Sequence, residues 1–64
     1  MKGLIIMTLE KKIIITNEGQ KELRIVTLDW SGNRCALEVD REIVATGSED
    51  FIRNRYDRNL IDKY

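Results

Sequence analysis

A chain of 64 residues can bury only about 60% of the surface its unfolded form exposes, so one small domain is expected, stabilised by something beyond its own core. Eleven basic and eleven acidic residues cancel, which excludes a polyanion partner held by overall charge and leaves only a local basic cluster for that purpose. A single cysteine and no histidine exclude an intrachain disulfide, a Cys/His zinc cluster and a Ser-His or Cys-His nucleophile pair. No cofactor or metal is expected, and catalysis is not expected either. Lys11 and Lys12 interrupt the apolar N-terminal stretch well short of a membrane span or signal-peptide core, so a soluble protein of the reducing cytoplasm, with no membrane partner, is the reading.

The apolar period is short up to about residue 47 and lengthens afterwards. Leu4-Ile5-Ile6-Met7-Thr8-Leu9 reads as a first strand (about 4–9), Glu10-Lys11-Lys12 as a tight connection, and Ile13-Ile14-Ile15-Thr16 as a second strand (about 12–16). Asn17-Glu18-Gly19-Gln20 carries turn residues. A third strand, about 22–30, has Val26, Leu28 and Trp30 on one face and Leu23, Ile25 and Thr27 on the other. Ser31-Gly32-Asn33 supplies a hairpin turn. Cys35, Leu37 and Val39 alternate with Ala36, Glu38 and Asp40 in a fourth strand (about 34–39), and Ile43-Val44-Ala45-Thr46 makes a fifth (about 42–46).

Ser48 is an N-cap, with Glu49 and Asp50 at the positive end of a helix expected over about 49–62. Ile52, Tyr56, Leu60 and Tyr64 fall four apart with Phe51 beside them, a packing stripe rather than a cofactor site, and Glu49 with Arg53 is a favourable i, i+4 pair. The paired carboxylates Glu49-Asp50 are explained by capping. Cys35, with no histidine to activate it, reads as a buried side chain. The chain is therefore one mainly β domain, residues 1–64, with five short strands in a meander and a C-terminal helix. With no disulfide or metal to brace it, oligomerisation is the expected source of added stability.

Several of these segments, in this order, resemble the carbon storage regulator family of small bacterial RNA-binding translational regulators. They are Leu4-Ile5-Ile6-Met7-Thr8, the strand Leu23 to Leu28 followed by Gly32-Asn33, Cys35-Ala36-Leu37-Glu38-Val39, and Arg41-Glu42-Ile43 leading into the helix. The resemblance runs from Leu4 to about Tyr56. It implies an intertwined homodimeric β-sandwich or barrel in which first and fifth strands are exchanged. It further implies binding of single-stranded RNA with a GGA-type element, often in a hairpin loop, where the first strand of one subunit lies beside the fifth of its partner. Such a protein would be bacterial or carried by a phage.

Carried over residue by residue, the resemblance selects Thr8 on the first strand, Arg41 before the fifth, and Ile43, Val44 and Thr46 within it. The family's two arginines after the threonine are replaced by Leu9 and Glu10, its following Gly-Glu turn lacks the glycine, and the arginine before its helix corresponds to Gly47 or Ser48. Neither residue can offer a planar guanidinium to a phosphate or base edge. Lys11 and Lys12 are the available substitutes, although lysines at a strand edge are first of all guards against edge pairing. The departures give weight to a second expectation, a dimeric scaffold of the same shape that has lost RNA and acts on a protein partner or by heterodimerising.

Overall fold

The computed structural model describes residues 7–64. Four antiparallel strands, β1 (Met7–Thr16), β2 (Gly19–Thr27), β3 (Cys35–Val39) and β4 (Glu42–Gly47), form one sheet in the order β1-β2-β3-β4, and a helix, α1 (Glu49–Asp57), packs on it. The mainly β class, the meander and the helix after the last strand agree with expectation.

The connections follow from backbone chemistry. The β1–β2 turn passes through Asn17-Glu18 and closes on Gly19, whose φ of 109° lies where a side chain is disfavoured. The β3–β4 turn is Asp40-Arg41, both left-handed with φ of 52° and 72°, the paired positive values of a two-residue hairpin whose twist matches its strands. The Asp40 carboxylate anchors it by accepting from the Glu22 amide at 2.8 Å. Between β2 and β3, the Asp29 carboxylate accepts from the Ser31 hydroxyl and from the amides of Gly32 and Asn33.

Where sequence and structure differ, a local bond decides. Glu10-Lys11-Lys12 makes no turn: β1 runs unbroken from Met7 to Thr16, so the expected first and second strands are one strand among the described residues, with Leu4 to Ile6 outside them. The break in pattern that suggested a turn is a bulge, Leu9 being the extra residue between the Thr8–Val26 and Glu10–Ile25 pairs. The bulge puts Leu9 against the core, while Glu10 reaches Arg53 of the helix at 2.6 Å and the Lys12 ammonium donates to the Tyr56 carbonyl at 2.9 Å. The third expected strand stops at Thr27, because Asp29 gathers the following residues into a loop and leaves Trp30 88% exposed instead of on a strand face. Asn59, left-handed at φ 55°, ends the helix five residues before its expected limit.

Residues on one face of the sheet are set by register. Toward α1 lie Leu23 and Ile25 of β2, Cys35 and Leu37 of β3, and Val44 and Ala45 of β4, which with Ile52 and Tyr56 of the helix make the core. Ser48 caps the helix by accepting from the Phe51 amide at 3.2 Å, fixing the angle at which Ile52 enters that core.

Candidate nucleic-acid interface

Strand alternation sends a second set of side chains to the face turned away from α1, and register aligns them in rows across the sheet. The first row is Thr8, Val26, Ala36 and Thr46, with the two central residues buried and the two threonines exposed at the ends. The second is Lys11, Arg24, Glu38 and Ile43. In a third position Ile13 lies opposite Glu22, and Arg41 returns from the β3–β4 turn to donate from Nε to Glu22 Oε1 at 3.3 Å.

Arg24 holds the centre of this face. Its guanidinium lies 3.3 Å from Glu38 Oε1 and donates to the Thr8 hydroxyl at 2.5 Å, with the Arg24 and Glu38 side chains only 16% and 6% exposed. That Glu38 oxygen is close enough for an ion pair but is not aligned as a hydrogen-bond acceptor, so it is buried with its charge compensated and its bonding incomplete. Lys11 stands directly opposite Arg24 and, among the described residues, has no ion-pair partner. Glu38 compensates the Arg24 charge, so Lys11 is the cation that this part of the face leaves uncompensated.

These residues frame a groove of about 400 Å³ lined by Thr8, Lys11, Glu22, Arg24 and Arg41 together with Leu9 and Glu10. Of the residues selected from the sequence, Thr8, Lys11 and Arg41 meet in it, and Ile43 and Thr46 continue the same rows at the far edge of the sheet. Two others go elsewhere. Val44 is turned into the core at 8% exposure by a second irregularity, between the Leu37 and Glu38 pairs of β3 and β4. Lys12 lies on the helix side, its ammonium 4.3 Å from the centre of the Tyr56 ring. Arg24 was absent from the residues selected, although arginine two places from Val26 on the same strand face carries the alternation that would have found it.

Other candidate groups are absorbed by structure. Burial first, then the fields of Glu49 and Asp29, push the Cys35 thiol above its ordinary range, so this side chain is an unreactive part of the core. Tyr56 is buried, and Tyr64 sits edge-on to Phe51 with ring centres 5.1 Å apart. Among the described residues no three histidine, cysteine or carboxylate side chains are grouped to hold a metal ion, and no helix is long and apolar enough to cross a membrane.

No protein-family model, curated protein or solved structure matches this chain.

Proposed function

We propose that this protein is a post-transcriptional regulator that binds single-stranded RNA on the face turned away from α1, with a GGA-type hairpin loop as the preferred target, in the manner of the carbon storage regulator family its sequence resembles. The supporting observation is the groove in which Thr8, Lys11, Arg24 and Arg41 converge, with Ile43 and Thr46 on the same rows. Lys11, without an ion-pair partner among the described residues, can grip a phosphate, and Arg24 and Arg41 can do so in exchange for Glu38 and Glu22, leaving base edges to the strand backbone and to Thr8. In the proposed homodimer β1 of one copy lies beside β4 of the other, which joins Thr8 and Lys11 to a partner's Ile43 and Thr46. Within one chain β1 and β4 are the two outer strands, so only a second copy can bring them together. The proposed setting is the bacterial or phage-infected cytoplasm, with no catalytic step.

Fluorescence anisotropy with labelled GGA hairpins and scrambled controls, from low to physiological salt, tests the proposal. Two or three neutralised phosphates predict a slope of log affinity against log salt of about −1.4 to −2.1, and Lys11→Ala should flatten it by about 0.7. Binding no better than to scrambled RNA at the lowest salt would remove the proposal.

One observation favours a protein partner instead: Ile13 and Ile15, on the same face of β1, are 57% and 74% exposed, an apolar strip that RNA phosphates do not need. Recovery of one specific protein in a pull-down that nuclease treatment leaves unchanged is the outcome expected of that second reading.

A further inference from the structure

The two outer strands differ in how their free edges are treated. After Asn59 turns the chain out of the helix, the segment doubles back, with the Leu60 amide donating to the Arg55 carbonyl at 2.9 Å and Ile61 packed against the core. It then runs alongside the outer edge of β4. The Tyr64 amide donates to the Val44 carbonyl at 2.8 Å, and the Lys63 ammonium lies 2.8 Å from the Glu42 carboxylate. The Tyr64 ring leans on Phe51, the Arg55 guanidinium stacks 5.1 Å from the Tyr64 ring centre, and Arg55 donates to the Asp62 carbonyl at 3.0 Å.

We propose that residues 59–64 are a latch on the β4 edge, an intramolecular competitor for the place that β1 of a second copy would take. The latch meets that edge as a strand would, through a main-chain bond. An extended backbone is therefore the kind of partner the edge accepts, and any strand that docks there must first displace Tyr64. β1 of a second copy fits by length and chemistry: it is ten residues long, and among the described residues its outer side pairs with no strand. It carries Thr8 and Lys11 on the face where β4 carries Thr46 and Ile43, so its docking extends the rows already described.

The latch is built to let go. It contributes one main-chain bond and one ion pair to the β4 edge, and the Lys63, Glu42 and Tyr64 side chains that hold it there are mostly exposed. Arg55, which donates to the Asp62 carbonyl of the latch, has its Nε buried without a hydrogen-bond partner. With the latch closed the chain is a monomer with half of the RNA site, and with the latch open the two edges join. This rests on the proposed function for its consequence in RNA binding, but not for the competition itself.

The test uses the full chain and two separate readouts. Lys63→Glu with Tyr64→Pro reverses the ion pair and removes the donating amide, at positions exposed enough to leave the core untouched, which circular dichroism and thermal unfolding verify. Sedimentation equilibrium should show the dimer dissociation constant falling at least tenfold in this variant, and RNA anisotropy should show affinity rising with it. Adding Ile43→Lys, which sets a further cation against the partner's Lys11, should return the protein to monomer. A folded latch variant whose self-association is unchanged overturns the proposal, as does dimerisation that survives Ile43→Lys. If dimerisation strengthens while no RNA is bound, the latch stands and the RNA function falls. If RNA binds equally well with and without the latch contacts and self-association is also unchanged, the function stands and the latch falls.

Discussion

The two faces of the sheet are made of the same four strands and do opposite things. Toward α1, Leu23, Ile25, Cys35, Leu37 and Ile52 are fully buried, and the charges on that side, Glu10, Lys12 and Arg53, stand at the edge where β1 meets the helix. Away from it, Arg24 and Glu38 face each other in the centre of the sheet, with Lys11 and Arg41 at the rim of one groove. The first face is where folding free energy is gathered by apolar burial. The second places charged groups where their desolvation weighs against stability, a cost that a purely structural face avoids by using apolar residues. Strand alternation makes the division possible, and the Leu9 bulge adjusts it by giving the helix side one more apolar residue without moving Thr8 or Lys11 off the other.

The division can be broken from either side. Ile52→Ala empties the centre of the apolar face and should cost about 4 kcal/mol, most of the stability of so small a domain, read from the urea midpoint by circular dichroism. Arg24→Ala should cost about 3 kcal/mol, because it strands the Glu38 carboxylate, and replacing both residues with leucine should recover that stability while abolishing RNA affinity. Recovery of stability with RNA affinity intact would mean that the Arg24–Glu38 pair serves no ligand.

Ser48→Ala removes the helix cap and should cost about 1 kcal/mol, with no effect on the groove residues. The smallest effect expected is at Asp29. Desolvation works to raise its pKa, but bonds from Ser31 and from the Arg34, Gly32 and Asn33 backbone outweigh it and hold the carboxyl below its ordinary 3.8. A depressed folded pKa contributes stability above the ordinary carboxylate range that is lost as pH falls through the folded value. Fluorescence of Trp30, the one tryptophan, should therefore report loosening of the loop only in acid, and Asp29→Ala should remove that transition.

Much of the division was legible in residue order. The alternation around Leu23 to Thr27 and Cys35 to Val39 and the cap at Ser48 are properties of local pattern, which strand and helix periods transmit faithfully. The Glu10-Lys11-Lys12 segment was not legible, because three charges in a row look like a turn until Arg53 and the Tyr56 carbonyl, more than 40 residues away, supply partners for Glu10 and Lys12. The side to which Val44 turns was hidden for a related reason: a bulge shifts alternation by one residue and has no strong sequence signature when no glycine marks it. The early end of the helix at Asn59 depended on left-handed backbone at a residue type that only sometimes adopts it. Arg24 lies on an inner strand, and its link to the face comes from long-range pairs, Glu38 and Thr8, that local pattern does not carry.

A chemical-shift map of the labelled protein titrated with a GGA hairpin tests, residue by residue, the proposal that RNA is held on one face of the sheet and not the other. The expected result is that amides of Thr8, Lys11, Arg24, Ile43 and Thr46 move together with one saturation curve, while those of Ile25, Leu37 and Ile52 stay in place. Shifts confined to α1 and its underlying core, or none at a hairpin concentration well above that of the protein, would contradict it.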